Sequence, residues 1–499
     1  MDERTQQKQL LRARGICVVI PTYNNAGTIV QVVESTLACC DDVIVVNDGS
    51  TDATTSLLQG LEGITLVHYA ANRGKGYALR KGFCKAREMG FAYAITLDAD
   101  GQHYPEHIAD FLRANQENPG ALIIGSRKLQ GVQRSKGSDF ANAFSNFWFW
   151  VQTGRRLADT QTGYRLYPVR KLYGLSLLTS RYEAELELLV FSSWHGVKLV
   201  EIPIDVYYPP LEERVSHFRP TADFARISVL NTVLCFLAVV YGLPLRLWRF
   251  LCVWGRTLFS LLFFFVMWIL VMPFMWLDVK VAPFSLEKKR LHVRQLMSGF
   301  ARLVMIYVGI PGTRFSYKRP ANLSFDKPRI VICNHQSHLD LMCQLVFSHK
   351  LTFLTNDWVW NNPLYGFLIH TAEYYPVSEG LDAMLPKLRS LVERGYSICV
   401  FPEGTRSKDC SIGRFHQGAF YLAQQLGLEV LPMYLYGPGK VLPKKTYHLN
   451  KGPIYIEVDE PVTQEQLQAL GDLKQQTSYW RRHYITKYAD ICNQIEQEV

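Results

Sequence analysis

The chain has 499 residues, 48% of them hydrophobic and 20% charged, with 54 Lys and Arg against 44 Asp and Glu for a formal net charge of +10. That length predicts two or three domains, each with its own core. The positive balance suits an acidic membrane surface or anionic substrates such as nucleotide sugars, coenzyme A and phosphates. No nucleic-acid-binding module is recognisable and the basic residues form no continuous run, which argues against a nucleic-acid partner.

Met1–Gly15 is polar with mixed charge, unlike a secretory signal. The 11 Cys are scattered without Cys-x-x-Cys spacing, as reduced thiols in a cytosolic setting would be. From Ile16 to about Asp205, β-rich runs at Ile16–Ile20, Val43–Val46, Thr65–Tyr69, Tyr93–Leu97 and Ala121–Ile124 alternate with helical stretches. That alternation predicts a mainly parallel α/β sheet.

Polar motifs follow these strands, where open α/β sheets bind ligands. Pro21, Tyr23 and Asn24 close the first strand, and Asp48 follows the second, placed to accept from a nucleotide base or ribose. A turn Asp before a helix cap would look the same. Asn72-Arg73-Gly74-Lys75-Gly76 is a glycine-rich turn opening a helix, where amides can approach a diphosphate, with Lys75 as a further donor contact. Asp98, Asp100 and Gln102 recur at every second position and can face one way. Two carboxylates and an amide oxygen make a hard site for Mg2+ or Mn2+, which would stabilise a departing diphosphate. An isolated Asp-x-Asp is more often a solvated turn; here it belongs to an ordered set. Arg127 and Arg165 are candidates to clamp phosphates. Glu185, then Glu187, is the candidate base for a hydroxyl acceptor; an ionised phosphate acceptor needs none.

Over Ile16 to about Ile227, these motifs together resemble an inverting family 2 glycosyltransferase with a GT-A fold, closest to polyprenyl-phosphate hexose synthases. The resemblance implies that Asp48 holds the nucleotide. It also implies that Asp98, Asp100 and Gln102 handle metal and diphosphate, and that Asp159–Arg165 lies near the acceptor. Arg214-Val215-Ser216-His217-Phe218-Arg219 stands where those enzymes carry a Gly-x-Ser-Lys-like element, a departure that bears on the acceptor.

An apolar block follows. Ile227–Leu245 and the uncharged Thr257–Leu277 predict a helical membrane hairpin with Arg246, Arg249 and Arg256 in its loop. A hairpin leaves both flanking domains on one face of the membrane. Lys288, Lys289, Arg290 and Arg294 then alternate with Leu291, Leu296, Phe300 and Leu303. That pattern fits a helix on anionic lipid, or equally one covering a core. The expected domains are therefore 1–226, a hairpin and linker over 227–290, and 291–499.

Strand-like runs recur at Arg329–Cys333, Ser397–Phe401, Val430–Tyr434 and Ile454–Val458. Ser337-x-x-Asp340 reads as a capping box, with His335 in the loop before it. Asp340 can hold one imidazole nitrogen of His335 and leave the other to deprotonate an acceptor. Glu403, Gly404, Thr405 and Arg406 end the strand Ser397–Phe401; the arginine suits a phosphate or carboxylate, and Glu403 can order the loop. Trp480, Tyr484 and Tyr488, four residues apart, predict a packing stripe.

About Val293–Val458 resembles the lysophospholipid (glycerol-phosphate) acyltransferase family. The resemblance implies that His335 and Asp340 are its catalytic dyad and that Pro402–Arg406 binds the acceptor's polar head. Glu373 opens a segment where relatives often end in Arg, which points away from simple glycerol phosphate as acceptor. The tandem order resembles fused glycosyltransferase–acyltransferases of bacterial lipid and aryl-polyene clusters.

The expectation is a bifunctional enzyme of the bacterial inner membrane, both domains cytosolic, using a nucleotide sugar and acyl-CoA or acyl carrier protein on a membrane lipid or lipid-linked acceptor. A monofunctional acyltransferase with a sugar-nucleotide-binding front domain, or a non-catalytic scaffold, is the alternative.

Overall fold

The structure is a computed structural model that describes residues 3–128, 136–175, 177–207, 220–363 and 366–498. The Arg214–Arg219 departure lies outside them. Two compact units emerge, Met1–Arg249 and Phe250–Val499, each built on one α/β sheet.

The first sheet holds β1 (Ile16–Thr22), β2 (Val43–Asn47), β3 (Ile64–His68), β4 (Tyr93–Thr96), β5 (Leu122–Arg127), β6 (Arg165–Tyr167) and β7 (Leu199–Ile204). Their order is β3-β2-β1-β4-β6-β5-β7. β1, β2 and β4 are buried along their whole length, as continuous apolar runs covered on both faces must be. All pairings are parallel except those of β6, which runs antiparallel to β4 and β5. Three residues are too few for periodicity to reveal such a strand. Its reversal brings the turn before it to the carboxyl end of β4, where the Thr96 hydroxyl donates to the Gly163 carbonyl at 2.6 Å.

The second sheet holds β8 (Thr313–Lys318), β9 (Ile330–Cys333), β10 (Leu351–Thr355), β11 (Tyr375–Pro376), β12 (Ser397–Val400), β13 (Val430–Tyr436) and β14 (Gly452–Val458). Their order is β11-β10-β12-β9-β13-β14-β8. β9 is central, parallel to β12 and β13. The stripe Trp480, Tyr484 and Tyr488 is buried in this core. Tyr484 also donates to the Ile332 carbonyl at 2.8 Å and accepts from the Met433 amide at 3.2 Å, tying β9 to β13.

The expected hairpin is instead one continuous helix, Phe224–Lys280, of 57 residues with mean hydropathy 2.5 in its most apolar window. The residues meant to turn are helical: Leu243–Lys280 is unbroken, and Ala238–Gly242 is a single π-helical stretch. Arg246 and Arg249 cap other helices rather than a loop. Arg246 donates to the Thr153 carbonyl and Arg249 to that of Trp194 at 2.6 Å, each the last residue of its helix, where carbonyls lack internal partners.

Of the basic stretch 288–294, Lys288 is exposed and Lys289 and Arg290 half-buried, while Arg294 turns into the core. Arg294 is fully buried, donating to Thr352 Oγ1 at 2.8 Å and to the Ala372 carbonyl. The buried Glu373 pairs with Arg290 at 3.2 Å, Arg394 at 2.8 Å and Arg294 at 3.8 Å. Glu373→Ala leaves three guanidiniums around an empty site. Breaking a buried pair from one side typically costs about 3–5 kcal/mol. Thermal unfolding in detergent is expected to show a second unit that melts clearly earlier; an unchanged midpoint would contradict it.

Candidate active sites

The carboxyl ends of β1, β2 and β4 lie along one edge of the first sheet, and the loops leaving them interlock. Asn24, at φ 53, accepts from the Thr51 amide at 2.8 Å, and its own amide donates to Ser50 Oγ at 3.0 Å. Asp52 accepts from the amides of Ala26 at 3.2 Å and Thr54 at 3.0 Å. Pro21 is buried and Tyr23 half-buried beside them. Asp48 is buried, and its two oxygens accept from the amides of Arg73 and Gly74, both at 2.8 Å. It thereby fixes the glycine-rich turn, a role its position in the sequence does not disclose. The glycines have a packing reason of their own: a Cβ on Gly76 would lie 2.3 Å from the Cβ of Ala184.

Lys75 is the centre of this site. Its Nζ lies 2.7 Å from Asp98 Oδ1 and 2.8 Å from Glu185 Oε2. Burial opposes the ammonium charge, but the two carboxylates outweigh it and raise its pKa. Burial likewise works against ionised Asp98, yet Lys75 and His103 hold its carboxyl below the usual range. Asp100 is half-buried, and its desolvation together with the Asp98 charge pushes its carboxyl up to about 6. His103 is brought down to about 4 by burial, against the pull of Asp98 3.9 Å away. Asp98 and Asp100 offer an all-oxygen donor set that suits a hard divalent cation. Among the described residues no three His, Cys, Asp or Glu converge as a ready-made cage. Gln102 donates its amide to Asp100 Oδ1 at 3.0 Å and accepts from the Tyr207 amide at 2.8 Å through its carbonyl.

Other expected residues are engaged by partners of their own. Arg127 forms a bidentate pair with the buried Asp159, at 2.6 and 2.9 Å. Arg165 is fully buried and donates to the carbonyls of Thr160 and Glu185, both at 2.8 Å, and to the Tyr167 hydroxyl at 3.1 Å. That placement goes against the expected phosphate contact: Arg165 is a floor beneath Glu185. Glu187, the second candidate base, is occupied by the amides of Leu178 and Thr179 at 2.5 and 3.0 Å and by the Thr179 hydroxyl at 2.6 Å. Glu185 keeps one buried oxygen, Oε1, without a partner.

Gly163 belongs to the Asp159–Arg165 stretch, but nothing in the sequence discloses what it touches. A Cβ there would lie 2.4 Å from Asp98 Oδ2 and 2.9 Å from Lys75 Nζ. Gly163→Ala is expected to displace Asp98 and lower turnover of this site by about 100-fold, the usual cost of an ångström-scale misplacement. The readout is initial rate together with circular dichroism; full activity with an intact fold would refute the crowding.

The second site lies where β9, β12 and β13 end side by side. Asn334 anchors its loop, accepting from the Leu435 amide at 2.8 Å and donating to the Leu435 carbonyl at 2.9 Å. His335 Nδ1 meets Asp340 Oδ2 at 2.7 Å, and the same oxygen accepts from the amides of Gln336 at 2.6 Å and Ser337 at 2.9 Å. Asp340 is fully buried. The imidazole stacks on Phe401 at 4.1 Å and 19°, so its plane is fixed as well as its tautomer. Its Nε2 has no hydrogen-bond partner among the described residues.

Glu403 faces inward rather than toward an acceptor. Its oxygens accept from the amides of His335 at 3.0 Å and Gly413 at 2.8 Å. Burial raises its pKa against the pull of those amides. Gly404, at φ 64, makes the turn. Lys444 Nζ donates to Thr405 Oγ1 at 3.3 Å and to the Arg406 carbonyl, so a second cation, missed in the sequence, sits at this loop. The Arg406 guanidinium has no ion-pair partner among the described residues, and its charge helps depress the pKa of His338, after burial.

Residues 17–165 match the family described as Glycosyl transferase family 2, and residues 314–436 the one described as Acyltransferase. The polyprenol monophosphomannose synthase of Mycolicibacterium smegmatis is 32% identical over 205 residues, 38% of this chain and 75% of that protein. A UDP-N-acetylglucosamine–dolichyl-phosphate N-acetylglucosaminyltransferase of Methanococcus voltae is 29% identical over 216 residues, 39% of this chain and 86% of that protein. A chloroplastic 1-acyl-sn-glycerol-3-phosphate acyltransferase of Brassica napus is 32% identical over 145 residues, 28% of this chain; the match spans 42% of that protein's length.

Proposed function

We infer that this chain, which belongs to glycosyl transferase family 2 through its first domain and carries an acyltransferase domain in its second, is a membrane-bound enzyme with two independent transfer centres. The supporting observation is that both couples are assembled, Asp98–Lys75–Glu185 in one unit and His335–Asp340 in the other.

In the first centre, the interlocked loops 21–26 and 47–54 hold the nucleotide of a sugar donor. Its diphosphate lies toward Asp98, Asp100 and Gln102. A Mg2+ or Mn2+ ion held there, with phosphate oxygens completing its shell, would neutralise the leaving group. An acceptor oxygen attacks the anomeric carbon from the opposite side, the sugar–phosphate bond breaks, and the nucleoside diphosphate leaves. Glu185 Oε1 takes the proton if the acceptor is a hydroxyl, with Lys75 holding the other oxygen; a lipid phosphate acceptor gives up none. The relatives named for dolichyl phosphate and polyprenol favour a lipid-linked acceptor.

In the second centre, His335 Nε2 takes the proton of an acceptor hydroxyl or amine. The freed nucleophile attacks a thioester of coenzyme A or acyl carrier protein, and the C–S bond breaks with loss of the thiol. Asp340 stabilises the imidazolium formed. Arg406 faces the acceptor's anionic group.

The apolar helix supports membrane binding. Phe263, Val271, Met272, Met275 and Val279 pack on the core of the second unit, a stretch of about 24 Å along the helix. Leu258, Phe259, Leu261, Leu262, Phe265 and Leu270 remain exposed. Nucleotide sugars and acyl thioesters are cytosolic donors, which favours the cytosolic face of a bacterial inner membrane for each centre.

The test is purified protein in detergent given nucleotide sugars, acyl-CoA or acyl carrier protein, and lipid extract, with products weighed by mass spectrometry. Glycosylated and acylated lipids are expected. Failure to turn over either donor would overturn the reading.

A further inference from the structure

The helix Lys136–Thr153 turns several large apolar side chains outward. Its inward face carries Asn142, Ser145, Gln152 and Thr153, all buried, beside the core residue Phe149. Asn142 donates to the Ala158 carbonyl at 3.5 Å, Ser145 shares a hydrogen bond with Thr160 at 2.7 Å, Gln152 donates to Asn231 Oδ1 at 2.9 Å and Thr153 to the Phe149 carbonyl at 2.6 Å, while Asn142 Oδ1 and Gln152 Oε1 stay without a partner among the described residues. Its outward face carries Phe140, Phe147, Trp150 and Val151, exposed by 62%, 51%, 41% and 44%. Residues seven, ten and eleven positions after Phe140 fall on one stripe of a helix. Four large apolar side chains on one outward stripe form a patch that gains by leaving water.

Cations sit where this stripe ends. Gly154, at φ 66, turns the chain out of the helix, and Arg155 and Arg156 follow, both exposed. Arg156 lies 5.6 Å over the ring of Trp150. Arg246 and Arg249 reach the same end through the Thr153 and Trp194 carbonyls. No Asp or Glu forms an ion pair with any of these four arginines among the described residues. Leu243, Leu247 and Trp248, exposed by 60%, 56% and 64%, flank them on the long helix.

We propose that the outer face of helix Lys136–Thr153 docks on a bilayer and that Arg155, Arg156, Arg246 and Arg249 hold the phosphate headgroup of an anionic phospholipid. The aromatic stripe enters the acyl boundary, and Trp150 sits at the headgroup level where indoles collect. The arginines extend to the phosphates while their stems stay on apolar surface. This rests on the membrane reading above and adds a lipid-selective contact made by the first unit itself.

The experiment is flotation of the full chain with vesicles of phosphatidylcholine alone and of phosphatidylcholine with phosphatidylglycerol. Wild type is expected to partition about tenfold or more in favour of the anionic vesicles at low salt, and less so at high salt, because each basic side chain near such a surface contributes roughly 1 kcal/mol. The double variant R155E/R156E is expected to lose that preference while keeping its partition into neutral vesicles. F147S/W150S is expected to weaken partition into both. Equal wild-type partition into the two vesicles would overturn the proposal, as would an undiminished preference in R155E/R156E. So would a wild-type dimer that F147S/W150S dissolves without changing partition, since the stripe would then cover a second copy. Neutral vesicles report separately on the general membrane reading.

Discussion

His335→Ala is expected to lower acyl transfer by about 10²–10⁴-fold, the usual contribution of a positioned general base, and to leave sugar transfer at the wild-type rate. Three contacts determine the geometry that makes this loss large. Asp340 holds Nδ1 at 2.7 Å, Phe401 stacks on the ring at 4.1 Å, and Glu403 accepts from the His335 amide at 3.0 Å. Asp340→Asn should follow the same direction, because an amide no longer stabilises the imidazolium and its NH2 can turn the ring to the wrong tautomer. The amides of Gln336 and Ser337 would lose their charged acceptor as well. Rates with saturating acyl donor, compared with sugar-transfer rates on the same preparation, decide it. Wild-type acylation by His335→Ala would remove the base from the scheme.

Asp98→Asn is expected to reduce sugar transfer by about 10²–10³-fold, the scale seen when one preorganised electrostatic contact is removed, with acyl transfer unchanged. The substitution is nearly isosteric, so the crowded contact with Gly163 survives. What changes is charge. Lys75 loses one of its two carboxylates, and its ammonium is drawn to Glu185 alone. Asp100 loses the neighbouring charge that, after burial, pushes its carboxyl up to about 6. The donor side is thereby disturbed at three groups at once, and Asp100→Ala should give a comparable loss. Sugar transfer by Asp98→Asn at the wild-type rate would dismiss this carboxylate from donor chemistry. The crossed pattern of the His335 and Asp98 variants also tests whether the two centres work independently.

The two motifs were legible because the residues of each are contiguous. Asp98, Asp100 and Gln102 lie within five positions, as do His335 and Asp340 within six, and strand–loop patterning alone predicts that such groups converge. The core strands β1, β2, β4, β9, β12 and β13 were legible for the same local reason: each is a buried apolar run. The short β6 was not, and with it went the contact of Gly163 with Asp98, 65 positions away. Arg165 and Glu187 were misjudged for one cause: a charged residue in a polar motif looks available for ligand, whereas here each is consumed by backbone groups of loops that fold over it. Glu403 makes the loop-ordering contacts its position suggested. The hairpin failed because composition reports how apolar a segment is and not whether the chain turns. Arg246 and Arg249 interrupt the apolar run in sequence, but in space they meet the carbonyl ends of two helices.

The linear order of residues disclosed a glycosyltransferase domain, an acyltransferase domain and the central strands of their sheets, because motif spacing and hydrophobic period are local properties. Only the folded chain decided which carboxylates are free, that Lys75 joins Asp98 to Glu185, and that helix Lys136–Thr153 turns its aromatic face outward. Those outcomes depend on side chains far apart in sequence competing for the same buried hydrogen-bond partners, and that competition is settled only when the sheets bring them together.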